Sequence, residues 1–208
     1  MRKRWQILRR ACLFLSLILV ATSCADRPVV RDATTTMRMR PAEQIVRAAV
    51  DSDLVAGAVL LVAKHGIVET LSAFGYASEY ELDGARLTNP IEMTTATVFD
   101  LASLTKVFAT TFGLMILVDR GAVDLDAPLY NYLPEIRGAS KDSITVRHLL
   151  THTAGLSPWK PTYFHAEEPD EAFEYIRSLP LDYAVGKKRH YSDLGFMLLG
   201  YLIEAVSG

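Results

Sequence analysis

Ser103 and Lys106 stand three residues apart in the run Ser103-Leu104-Thr105-Lys106. At that spacing a hydroxyl and an amine meet on one face of a helix. Lys106 is the only charged residue between positions 101 and 118. Around it Leu104, Val107, Phe108, Phe112, Met115, Ile116 and Val118 spread apolar groups over most of a helical projection, which reads as a buried helix closed by Gly121 after Arg120. Desolvation disfavours the ammonium form, so an amine in such surroundings is partly neutral. A neutral Lys106 would accept the Ser103 proton and turn the alcohol into a nucleophile.

Other chemistry-bearing groups lie further along the chain. Tyr191-Ser192-Asp193 places a phenol and a carboxylate just ahead of an apolar helix expected over residues 194–206. Taken alone, Tyr191 reads as well as a half-buried tyrosine with a satisfied hydroxyl. A second Ser-x-x-Lys match, Ser157-Pro158-Trp159-Lys160, has a proline inside it and a loop setting, so it lacks the helix that would bring its ends together. His148 and His152 are four apart, as metal-binding histidines on a helix are, but no third ligand accompanies them and no metal is expected. The acidic run 167–171 reads as a solvated loop, and nothing calls for a cofactor.

The elements that must position these groups follow from periodicity and breakers. Pro41 opens an amphipathic helix with Ile45, Val46, Ala49, Val50 and Leu54 on its apolar side. Residues 56–63 and 67–74 read as strands joined by the turn Lys64-His65-Gly66, and residues 75–97 as irregular. Beyond the Lys106 helix, a short helix at 130–133 stops at Pro134. A helix over 143–152 is capped by Thr145, a loop covers 154–169, and a modest helix over 171–178 ends at Pro180.

Five of the 22 basic residues lie in the first 24 positions, where no acid occurs, leaving 17 basic against 24 acidic groups in the remainder. That acidic balance argues against a nucleic-acid partner, since phosphate binding needs a basic footprint. The basic start, the apolar run 11–21 and the sequence Ala21-Thr22-Ser23-Cys24 have the layout of an export signal ending in a lipobox, with Cys24 the lipidated residue. Residues 1–24 are therefore expected to be a signal peptide, 25–40 a polar tether and 41–208 a truncated catalytic-type domain. The expectation is an exported bacterial lipoprotein, held to a membrane through a lipid anchor and facing the periplasm or cell exterior. Cys12 would leave with the signal, so no internal disulfide is expected.

Several ordered motifs together resemble the serine β-lactamase and penicillin-binding-protein superfamily, in its branch of class C β-lactamase-related serine hydrolases. They are Phe99-Asp100-Leu101-Ala102-Ser103-Leu104-Thr105-Lys106, Val123-Asp124-Leu125-Asp126-Ala127-Pro128, Tyr132-Leu133-Pro134, Ile144 through Leu156 with its His148-Leu149-Leu150-Thr151-His152-Thr153-Ala154-Gly155 centre, and Tyr191-Ser192-Asp193-Leu194-Gly195. The resemblance implies an α/β (α+β) fold, a helical region packed on an antiparallel sheet. It also implies Ser103 as acylated nucleophile, Lys106 as its activating partner and Tyr191 as the phenolic acid/base of a Tyr-x-Asn element. Asp193 stands where the family usually has Asn: an amide donates to the acyl-side carbonyl of a substrate, whereas a carboxylate only accepts. Were Asp193 to reach Lys106, it would hold the lysine charged and shift the base role to Tyr191.

The family's third element, Lys-Thr-Gly or a His-x-Gly variant on a pocket-lining strand, has no match here. The chain is accordingly expected to be the N-terminal part of such a domain, with its C-terminal sheet strands missing. Two readings follow. One is a serine hydrolase acting on a small-molecule or peptide acyl substrate: a β-lactam, a D-Ala-type peptide or a small ester. The other is a catalytically inactive, truncated lipoprotein that serves as a binding or interaction module or is a non-functional fragment. Trp159, Tyr163 and Phe164 are candidates for lining a substrate pocket.

Overall fold

A computed structural model describes residues 29–31 and 39–208, and the chain divides after Phe99 into two units. The expected export signal, Cys24 and most of the expected tether lie outside the described residues.

The first unit holds strand β1 (Val29–Arg31), helix α1 (Arg40–Asp51) and strands β2 (Gly57–Lys64), β3 (Ile67–Tyr80) and β4 (Arg86–Glu92). β2 and β3 form the expected hairpin, with Lys64 opposite Ile67. His65 and Gly66 both have positive φ, as a two-residue turn matched to the twist of the strands requires. Within the stretch expected as a tether, Val29–Arg31 pairs antiparallel with residues 72–74 of β3, on the side away from β2. α1 carries the buried Glu43 and Val50, and Glu43 accepts hydrogen bonds from Ser72 (2.5 Å) and Thr70 (3.1 Å). Ile45 and Leu54, expected on its apolar side, are exposed.

Residues 75–97, expected to be irregular, contain a strand. β3 runs on to Tyr80 and the chain returns as β4, pairing Tyr80 with Arg86 and Tyr76 with Glu92. Asn89 and Pro90 hide β4 in the sequence, because both are poor strand residues. Among the described residues β4 pairs with β3 alone, so a proline there breaks no second ladder.

The second unit opens with the segment around Lys106, which is not one regular buried helix. A 3₁₀ turn at Ala102–Leu104 passes into a wide π-helical stretch, Lys106–Thr111, and then into α2 (Phe112–Asp119). Leu114 and Leu117 are buried, but Leu104, Val107, Phe108, Phe112, Met115 and Ile116 stay about half exposed. The expectation of burial all round fails because, in this unit, the segment packs against a single helix face, with Gly113 closely approached by Ile203 (3.2 Å from an added Cβ). By length and composition Ala102–Asp119 is apolar enough to cross a bilayer.

Helices α3 (Val146–Leu150), α4 (Pro169–Ser178) and α5 (Asp193–Ser207) complete the unit around a core that includes Leu114, Leu149, Leu156, Ile176, Leu194 and Leu198. The helix expected over 130–133 is a single 3₁₀ turn, Leu129–Asn131, and a second begins at Pro134. Thr145 caps α3 as expected: its hydroxyl accepts from the His148 N–H, and His148 Nδ1 accepts from the Thr145 N–H (3.1 Å).

After α3 the loop folds back on residues 181–192. Gly155 has φ +86°, and a Cβ there would lie 2.3 Å from the Tyr183 carbonyl oxygen. Gly155 also accepts from Asp182 N–H (2.8 Å), so both its conformation and its lack of a side chain hold the loop to that segment. Replacing Gly155 with Ala is expected to lower the unfolding free energy by at least ~1–3 kcal/mol, read from the urea midpoint of the purified chain.

Candidate active site

Ser103 sits on the 3₁₀ turn that precedes the π-helical stretch, and its side chain is exposed. The residue before it, Ala102, has φ +44°, and its N–H donates to Asp100 Oδ1 at 2.7 Å. A positive φ at a residue with a Cβ is sterically costly and persists where surrounding contacts enforce it. The wide turn beginning at Lys106 is the second irregularity, and such insertions into helices concentrate at functional sites.

Lys106 Nζ lies 2.6 Å from Asp193 Oδ1, its side chain only 16% exposed. The same nitrogen is 5.0 Å from the centroid of the Tyr191 ring and 5.8 Å from that of Phe196. Burial by itself would lower the lysine pKa, but hydrogen bonds and charge from Asp193 and Tyr191 outweigh it and raise the value above that of an ordinary lysine. The apolar setting alone favours the neutral amine, and Asp193 and Tyr191 reverse that direction. An apolar run says how much water is removed, and it says nothing of a carboxylate brought in from almost ninety positions away.

Hydrogen bonding toward Ser103, the largest influence, then toward Lys106, together with the lysine charge, pushes the Tyr191 phenol below its usual pKa. Ser103, Lys106, Tyr191 and Asp193 thus come together from two segments.

Tyr191 is held by its neighbours. Ser192 caps α5 by accepting from the Gly195 N–H (3.2 Å) and donates its own hydroxyl to the Ser157 carbonyl (2.7 Å). Asp193 N–H donates to the Pro158 carbonyl (2.8 Å), and His190 N–H to the His152 carbonyl (2.9 Å). Ser157 serves this scaffold, donating to Asp182 Oδ1 at 2.9 Å, which accounts for the second Ser-x-x-Lys match without chemistry.

Sequence reasoning passed over two residues. Ala102 left no trace, since nothing in its type announces a positive φ. His152 did leave one, its spacing from His148, which without a third ligand pointed to no role. Among the described residues no group of three His, Cys, Asp or Glu is placed to hold a metal ion. His148 is occupied by the α3 cap, and His152 stacks near Tyr191. Trp159, Tyr163 and Phe164 form an exposed aromatic cluster, with ring centroids 6.5 and 4.6 Å apart in sequence order.

The geometry fixes the order of titration. In the protein labelled with ¹³Cζ-tyrosine, the resonance lost in Tyr191→Phe is expected to titrate below an ordinary tyrosine. In Lys106→Met it is expected to move back up, because the variant removes both a hydrogen bond and a positive charge from the phenolate.

Comparison with known proteins points the same way. The family model described as Beta-lactamase matches residues 42–208. An N-acetylmuramyl-L-alanine amidase of Bacillus subtilis (strain 168) is 37% identical, over 84% of this chain and 42% of its own length. A protein of Escherichia coli O157:H7, provisionally named a D-alanyl-D-alanine carboxypeptidase, is 30% identical over 97% of this chain and 51% of its own. A class C beta lactamase from Rhodobacter sphaeroides superposes with a TM-score of 0.61 at 27% identity, over 80% of this chain and 44% of that one. The chain spans about half the length of the curated relatives it matches. The mixed helical and antiparallel-sheet fold expected from the motifs is the fold of these relatives, and the chain belongs to the beta-lactamase family.

Proposed function

We propose that Ser103 is the nucleophile of a serine hydrolase, with Tyr191 as its proton acceptor and Lys106, kept cationic by Asp193, as the group that sustains the phenolate. The observation that carries this reading is the placement of Lys106 Nζ, 2.6 Å from Asp193 Oδ1 and 5.0 Å from the centroid of the Tyr191 ring, with Ser103 and Lys106 both favouring the phenolate. The phenolate takes the serine proton as Oγ bonds to the acyl carbon, and the phenol returns that proton to the departing amine or alkoxide. Water then releases the acyl group from Ser103, with Tyr191 again taking and returning a proton. Lys106 stays protonated throughout.

The substrate class is an ester or amide acyl donor: a β-lactam, a D-Ala-type peptide or a small ester. Relatives named as an amidase, a carboxypeptidase and a β-lactamase support this breadth. Asp193 narrows it, since a carboxylate offers no N–H to an acyl-side carbonyl. The exported, Cys24-lipidated protein facing the periplasm or cell exterior belongs to the same proposal, supported by the basic and apolar start of the sequence.

A fluorophosphonate reporter is expected to label the 208-residue chain at Ser103 and to leave Ser103→Ala unlabelled. No labelling of the wild-type chain overturns the catalytic reading in favour of a binding module. Asp193→Asn tests the division of labour. The carboxylate raises both the Lys106 and Tyr191 pKa values, so its loss lowers both. The pH–rate profile for acylation by an activated ester is expected to slide to lower pH, and a profile that does not move removes Asp193 from the proton inventory.

A further inference from the structure

We propose that His152 is a positioning residue of this site, holding the Tyr191 phenol against Ser103 and Lys106 through its Nδ1 atom and the face of its ring. The proposal rests on the reading of Tyr191 as the proton acceptor.

His152 is buried and lies immediately after the last turn of α3, with φ +59°. Its Nδ1 accepts the Ser192 N–H at 3.1 Å, which puts the ring proton on Nε2. Its carbonyl accepts the His190 N–H at 2.9 Å and, more weakly, the Tyr183 hydroxyl at 3.4 Å. The residues on either side of Tyr191 are thus both bonded to one histidine, once through the side chain and once through the backbone. Between those two bonds the imidazole lies 4.5 Å from the Tyr191 ring and 5.1 Å from that of Phe196. The phenol is clamped at its main chain on both sides and supported at its ring.

The clamp needs a neutral imidazole. Protonated, Nδ1 would present a hydrogen to the Ser192 N–H, setting donor against donor. The charged groups that face the ring come from two directions. Arg189 and Lys106 oppose protonation, Asp193 favours it, and burial, the largest influence, opposes it as well, so the pKa falls below that of an ordinary histidine. Tyr191 and Tyr183 are the remaining titratable groups in contact with the residue.

Two variants separate the side-chain clamp from simple fold support. Asn is at home at positive φ and carries an acceptor near the Nδ1 position, so His152→Asn keeps the bond to Ser192 and loses the ring and its titration. His152→Ala loses bond and ring together. The first readout is the Tyr191 resonance of the ¹³Cζ-tyrosine protein, which does not depend on turnover. In His152→Ala it is expected to titrate nearer an ordinary tyrosine than in the wild type, and His152→Asn is expected to recover most of the difference. The second is fluorophosphonate acylation of Ser103. It is expected to fall about 100-fold in the Ala variant, as misplacement by about an ångström does, and less in the Asn variant. Below the ordinary histidine range the wild type is expected to lose acylation more steeply than the Asn variant, which keeps only the limb set by Tyr191.

A Tyr191 titration in His152→Ala equal to the wild type overturns the proposal. So does an equal loss in both variants that tracks a fall in the unfolding midpoint, which is fold support alone. A wild-type chain that is not acylated at all, yet whose Tyr191 titration responds to His152 as described, refutes the catalytic reading and leaves the positioning intact.

Discussion

The contact between Lys106 Nζ and Asp193 Oδ1 is the interaction on which the arrangement of the site depends. It joins the first residue of an irregular helical stretch to the first residue of the last helix, 87 positions along the chain. As a source of stability it is minor. Asp193 keeps 39% of its side-chain surface exposed, so water screens the pair, and such pairs are worth about 0–1 kcal/mol. Its weight lies in protonation. An ammonium that is mostly desolvated would shed its proton more readily than a free lysine, and the carboxylate reverses that tendency. With the lysine charged, the Tyr191 phenol faces a cation and a hydroxyl donor, and the easier proton to remove becomes that of the phenol.

A pair this weak cannot hold two segments in place, so the packing around it must. Leu114 and Leu117 on one helix and Leu194, Leu198 and Leu202 on the other are buried in one core, which sets α2 beside α5. Burying a leucine stabilises a fold by ~1.5–3 kcal/mol, so a few such residues outweigh the ion pair severalfold. The loop after α3 then fixes the approach to α5 through hydrogen bonds at Pro158, Ser157 and His152, of which the two made by Ser192 are buried. Apolar burial brings the helices together, backbone hydrogen bonds orient Tyr191, and the charges select the protonation state.

Local sequence carried much of this. The His65-Gly66 hairpin turn, the Thr145 cap, the Ser192-led start of the last helix and the three-residue spacing of Ser103 and Lys106 are short-range features, each readable from a few adjacent residues. What escaped depends on partners far along the chain. β4 contains Asn89 and Pro90 and is a strand only because β3 is long enough to pair with it. The segment of Leu104, Val107, Phe108 and Met115 has the composition of a core helix, and composition cannot tell which of its faces meets a neighbour. The positive φ of Ala102 has no signature at all. The run around Lys106 taken alone favours a neutral amine, and Asp193, 2.6 Å away, favours the ammonium, because a pKa is set by the nearest charges in space.

The replacement of an amide by a carboxylate at position 193 links these observations. Asn at the same place would satisfy a hydrogen bond from Lys106 through its oxygen, yet bring no charge to offset the burial of the ammonium. The lysine would then sit closer to neutrality, while the phenol would escape the repulsion that Asp193 exerts on the phenolate. The direct effect of Asp193 on the phenol ranks below that of the lysine. Asp193 therefore trades a small penalty on the phenolate for a secure ammonium. That exchange is favourable only where the phenol, and not the amine, is the group that moves the proton.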